Sequence, residues 1–270
     1  AACSDREVHV VVTARDLGRQ IPSVWQQGLQ SGRAITFPDY LARLHKTQGT
    51  PAPIWWQKDL PAVLEKWGRH VPAERIHVVT VPPPGADKGL LLERFCSVLG
   101  IDPALLDQSS VGRANRGLRL EQAEVLRRVN AGIPDDLKRR DVYGDVGKRG
   151  FSVKVLGGAE GRPILLPESE RAWCEELSQR YVDHVREGGY DVVGDVEDLL
   201  PRDSAFAPDE QEVSEEQVAQ VAVDALTTMV SRQLTTHRTR KDRAAAEAAE
   251  RARRGWRGRV RRLLGAGVSR

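Results

Sequence analysis

Val8-His9-Val10-Val11-Val12-Thr13-Ala14-Arg15-Asp16-Leu17-Gly18-Arg19-Gln20-Ile21-Pro22-Ser23 is the stretch whose reading decides the fold. Its first six residues are short, continuous and β-branched. They predict a strand over 8–13 that is covered on both faces, as in a parallel sheet. Residues 14–18 read as a turn. Pro22 and Ser23 then open a helix that runs to about Leu29, because proline is tolerated in a first helical turn. On this reading Arg15 stands at the carboxyl end of a strand, and Ser23 stands eight residues on at a helix start. The pair suits a phosphate: a guanidinium offers two parallel donors, and a serine hydroxyl with free helix-start amides adds more. The same spacing also fits an Arg15–Asp16 ion pair and a serine that only caps the helix.

Outward from this stretch the pattern repeats. Helices are expected over 38–45 and 59–70, the latter capped by Asp59, with Leu60, Val63, Leu64 and Trp67 on one face. Ile76-His77-Val78-Val79-Thr80-Val81 is a second strand, ended by Pro82-Pro83-Pro84-Gly85. A helix over 90–99 stops at Gly100. Strand, helices, strand, helix predicts an α/β fold with a parallel sheet flanked by helices. Ligands of such sheets bind beyond the carboxyl ends of the strands. Further helices are expected over 122–130 and 168–187, and Tyr190 to Gly194 reads as a short strand or a packing segment. Residues 135–161 have no clear pattern.

The domain reading is a body over 1–201, a linker over 202–213, and a basic helical extension over 214–270. In the extension Ser214 caps one helix, and an alanine- and arginine-rich helix over 238–264 follows. From His237 to Arg270 there are twelve Lys/Arg against three Asp/Glu, a local +9, so the other 236 residues carry −6. Trp256, Val260, Leu263 and Leu264 share a helical face amid Arg253, Arg254, Arg257, Arg259, Arg261 and Arg262. Such a helix suits an anionic membrane surface or nucleic acid; docking on the body or on another subunit fits as well. No apolar run approaches a membrane span, no secretory leader is visible, and a cytoplasmic protein, with association to membrane surfaces through the tail, is expected.

Cys3, Cys96 and Cys174 form no CxxC pair and no disulfide framework, so reduced thiols are expected. His9, His45, His70, His77, His184 and His237 lack metal-like spacing, so no metal site is expected. His9 and His77, each at a strand's second residue, read as packed into the sheet. Of Trp25, Trp55, Trp56 and Trp67, one could stack on a base, while packing beneath the helices fits all four.

The segment Val8–Trp25 resembles the 3′-phosphate-binding segment of sulfotransferases that use 3′-phosphoadenosine 5′-phosphosulfate (PAPS). Further stretches resemble bacterial members of that family, over roughly residues 7–201: Trp56-Gln57-Lys58-Asp59-Leu60, Trp67-Gly68, Arg75 to Gly85, Leu92-Glu93-Arg94-Phe95, Leu99 to Asp102, Ala114 to Leu118 and Gly189 to Asp195. The resemblance implies a sulfotransferase-like, P-loop-type α/β fold and PAPS as donor. It implies Arg15 and Ser23 as ligands of the 3′-phosphate. The implied acceptor is a hydroxyl or amine on a small molecule or glycan. Lys148-Arg149-Gly150 resembles the family's late basic-glycine loop, though in a different order; a solvated loop is the alternative. The family's P-loop-like turn and catalytic base stand upstream of the Arg/Ser segment. Here only Ala1 to Glu7 precede that segment, and no GxxxxGK[ST] occurs. The expectation is therefore a domain incomplete at its amino end, or else a non-catalytic remnant that binds a nucleotide or a partner.

Overall fold

The structure, a computed structural model, describes residues 6–87, 89–107, 117–207 and 211–265; the side chains of 252–255 and 257–265 are left aside. The chain divides into two units, Ala1–Val218 and Ala219–Arg270.

In the first unit β1 (Val10–Ala14), β2 (Ile76–Thr80) and β4 (Asp191–Val193) form a parallel sheet in the order β1-β2-β4. A second, minimal parallel pair joins β3 (Leu166–Pro167) to β5 (Phe206–Ala207). The register sets Val10 opposite Ile76 and Val78 opposite Val192. Alternation along β2 then sends Ile76 and Val78 to one face. There they pack with Leu64 of α3 (Leu60–Gly68), with Val182 and Val185 of α7 (Arg171–Glu187), and with Leu199. α4 (Leu90–Leu99) packs against β2 and β4 and ends at Gly100 in the left-handed conformation that glycine permits. The expected mixed α/β class with a small helix-flanked parallel sheet is what the chain adopts. β1 differs from the expected buried strand: it begins two residues later, and it is an edge strand with Val10, Val11 and Val12 only partly covered.

The larger correction lies just after β1. α1 spans Leu17–Leu29, and Asp16 is its cap, accepting the backbone N–H of Arg19 at 2.9 Å. Pro22 is therefore inside the helix, and Ser23 is its seventh residue rather than a residue of its start. Gly18 sits where a Cβ would come within 2.7 Å of the Ala205 Cβ, so α1 lies directly on the segment over 201–205. That segment was expected within a linker. Instead Ala205, Phe206 and Ala207 are buried, and Arg171 lies over the Phe206 ring at 4.3 Å.

α2 (Phe37–Thr47) and α5 (Leu120–Gly132) complete the body. Asn130, fully buried, donates from Nδ2 to the carbonyls of Leu29 and Arg33, both at 2.8 Å, and accepts from the Tyr143 hydroxyl. The patternless stretch resolves into α6 (Arg140–Tyr143) and a π-helix over Gly144–Leu156. At the end of the body Ser214 and Gln217 cap α8 (Glu215–Gly265) reciprocally: the Ser214 hydroxyl takes the Gln217 N–H, and the Gln217 side chain takes the Ser214 N–H.

The second unit is the remainder of α8, one continuous helix where two were expected. Leu226, Val230, Leu234 and Trp256 are exposed on it. The expected basic face of Arg253, Arg254, Arg257, Arg259, Arg261 and Arg262, with Val260, Leu263 and Leu264, lies outside the described side chains. No helix among the described residues is long and apolar enough to cross a membrane.

Candidate functional site at the carboxyl end of the first strand

The turn after β1 carries two arginines with opposite fates. Arg19 reaches back to the Asp16 carboxylate and donates to the carbonyls of Pro82 (2.9 Å) and Val81 (3.3 Å), which ties α1 to the residues after β2. Arg15 has no such anchorage. Asp16 is held by Arg19, and the buried Nε of Arg15 meets no hydrogen-bond partner among the described residues. Burial, and then the Arg19 charge, draw the Arg15 pKa below the ordinary guanidinium value, with Asp16 acting the other way. A buried donor without a partner costs stability. A partly buried cation without a carboxylate is poised for an anion.

Arg15 lines a cavity of about 310 Å³ together with Gln20, Gln57, Lys58, Trp67 and Tyr181, and no carboxylate lines it among the described residues. Lys58 is only 3% exposed, a rare state for lysine. Its ammonium donates to the Ile54 carbonyl and lies 5.5 Å from the Tyr40 ring centroid. Desolvation, assisted by the Arg33 charge, draws its pKa down to about 8. Gln20 donates to the Gln57 carbonyl at 2.6 Å, closing one side of the cavity.

The structure thus gathers Arg15 with Lys58 and Trp67. It does not add Ser23, which is partly buried on α1 and is not among the residues lining the cavity. The helix start is at Leu17 and Gly18, with the Arg19 amide already taken by the Asp16 carboxylate, so the expected use of the helix start by Ser23 is corrected. Lys148-Arg149-Gly150 is likewise not a loop: it lies within the π-helix, with Lys148 and Arg149 exposed and Arg149 paired to Asp145. Trp25 and Trp55 are core residues bonded to Ile35 and Thr47, and Trp56 is exposed; of these four tryptophans only Trp67 faces the cavity. Residues 114–116 of the resemblance, and Cys3, lie outside the described residues. Lys58 escaped the reading of site residues because a lysine beside an N-cap reads as solvated. The signal available was its setting, after two tryptophans and directly before the cap of α3.

At the opposite, amino end of the sheet, a hydrogen-bonded chain runs from the residues before β1 to β2 and β4. Glu7 meets His9 at 3.1 Å, His9 meets His77 at 2.8 Å, and His77 meets Asp191 at 2.5 Å. Arg75 pairs with Glu7 at 3.1 Å. His9 is therefore exposed and precedes β1, not packed within it. Among the described residues no group of three His, Cys, Asp or Glu side chains is placed to hold a metal ion. No family model matches the chain, and no curated protein and no solved structure matches it.

Proposed function

We propose that the cavity beside Arg15 receives the phosphate of a 3′-phosphoadenosine nucleotide, and that the chain is a sulfotransferase-type domain using PAPS as its donor. The observation that carries this reading is Arg15: a partly buried guanidinium at the carboxyl end of a parallel strand, its Nε without a partner among the described residues, with a second buried cation in the same cavity and no carboxylate among the described lining. Arg15 supplies two parallel donors to phosphate oxygens, and the Lys58 ammonium adds a point charge. Trp67 offers an indole face at the cavity wall, to which a purine can stack. The outer edge of β1 has no strand partner among the described residues and is free to take a further parallel strand. In the transfer itself the sulfuryl group leaves the bridging phosphate oxygen for the acceptor hydroxyl or amine, whose proton passes to a base. This chain's motifs supply the nucleotide side of that reaction. Binding of a nucleotide without transfer is the alternative the same cavity supports.

Calorimetric titration with adenosine 3′,5′-bisphosphate tests the reading. Arg15→Gln should lower affinity roughly tenfold to a hundredfold, the range for a lost charged hydrogen bond. Ser23→Ala should stay within about twofold of wild type, because Ser23 lies outside the cavity lining. Equal affinity in wild type and Arg15→Gln removes the proposal.

A further inference from the structure

A second cavity, of about 520 Å³, is lined in part by Tyr40 and shares no lining residue with the first. Its cations are Arg33, Arg43 and Lys138, and Asp135, the one acid among the described lining residues, is already paired with Lys138 at 2.9 Å. Arg33 and Arg43 have no carboxylate partner among the described residues. The rest of the lining is apolar: Ala34, Ile35, Pro53 and Ile54. The volume is that of a small-molecule site.

The site is built rather than incidental. Gly32, at φ +90°, turns the chain out of α1 in a conformation that favours glycine. The Arg33 N–H then returns to the Gly28 carbonyl at 3.1 Å, and the Arg33 carbonyl accepts from buried Asn130 at 2.8 Å. Both ends of the Arg33 peptide unit are thereby fixed. Arg43 follows Tyr40 by three residues on α2 and so shares its face. Tyr40 is 3% exposed, and its buried hydroxyl has no hydrogen-bond partner among the described residues. Burial holds that hydroxyl in its protonated form, with Arg33 opposing. A buried O–H donor without a hydrogen-bond partner among the described residues, on a residue that lines a cavity edged by two guanidinium groups without a carboxylate partner there, is an incomplete oxyanion site.

We propose that this cavity binds a small organic anion, a carboxylate or phosphate ester with an apolar body. Arg33 and Arg43 take the anionic head, the Tyr40 hydroxyl donates to one of its oxygens, and Ile35, Pro53 and Ile54 cover the body. The inference does not depend on what the Arg15 cavity holds.

The probe is benzyl phosphate, titrated calorimetrically into Arg15→Gln, a background that disables the other cation site. One equivalent should bind. Adding Arg33→Gln and Arg43→Gln should weaken binding at least about tenfold. Tyr40→Phe should weaken it a few fold, as loss of one neutral donor does. Benzyl alcohol should not compete, and inorganic phosphate should bind more weakly than the ester. Melting temperatures of the arginine variants, whose side chains are exposed, should match the parent. Unchanged benzyl phosphate affinity after loss of both arginines overturns the proposal, as does absence of binding at millimolar probe. Binding in wild type that vanishes in Arg15→Gln alone places the probe in the first cavity and also overturns it.

Discussion

Neighbouring strands β1 and β2 end in contrasting ways. At the carboxyl end of β2 the buried Asp198 carboxylate is matched by Arg94. Arg94, on α4, donates to the Thr80 carbonyl at 2.8 Å, the Thr80 hydroxyl at 2.9 Å and the Asp198 carboxylate at 2.6 Å, and Thr80 also bonds Asp198. Gly194, at φ +112°, passes so close that a Cβ would meet the Thr80 hydroxyl at 2.2 Å. At the carboxyl end of β1, Arg15 and Lys58 line a cavity with no carboxylate among the described residues. Matched buried charge fixes a structure; unmatched charge there is tolerated only where something else supplies the counter-charge. The first end is read as a lock, the second as a receptor.

The sharpest way to break that contrast is Asp198→Ala. It strands Arg94 in a buried setting, and the cost should be on the order of 3–5 kcal/mol in chemical denaturation, the range for removing one partner of a buried pair. A loss under about 1 kcal/mol would mean that the two ends do not differ in kind.

Lys58→Met probes the other end with a pH dependence. The Lys58 pKa is drawn down to about 8 in the fold, whereas in the unfolded chain it is about 10.4. Between those values the unfolded state binds more protons, so wild-type stability gains as pH rises through this window. The methionine variant lacks that gain. It should be more stable than wild type at pH 7, by on the order of 1–3 kcal/mol, and the margin should shrink steadily from pH 8 to pH 10. Ionisation of the tyrosines, whose pKa values burial raises in the fold, is common to both proteins and cancels in the difference. A margin that is constant with pH would show that the ammonium is not desolvated.

The smallest effect is expected of Arg15→Met in the absence of ligand: a change within about 1 kcal/mol of wild type, of either sign. A destabilisation matching that of Asp198→Ala would make Arg15 a structural residue and erase the comparison.

The sheet was legible because β-branched runs over 8–13 and 76–81 have few other uses, and the helices over 59–70 and 90–99 because Asp59 and Gly100 mark their ends. Pro22 misled for a physical reason. Proline is commonest in a first turn, but Asp16 is the stronger start signal, and the turn before Pro22 is held by Asp16 and Arg19. The π-helix over 144–156 was illegible because its period matches neither of the two used to read a sequence. The site was half legible. Arg15 followed from its place after a strand, but Lys58 and Trp67 come to it from a segment more than forty residues away. Only the packing of α3 on the sheet brings them there.

One buried thiol gives the body a clock. Cys174, fully buried on α7, has its pKa pushed up to about 12 by burial and then by the Asp16 charge. Thiolate, not thiol, is the reactive form, so a maleimide or disulfide reagent meets almost none of it while the helix is seated. Modification must wait for α7 to lift away. Its rate at Cys174, mapped apart from the equally buried Cys96, then counts the openings that uncover α7, global unfolding included.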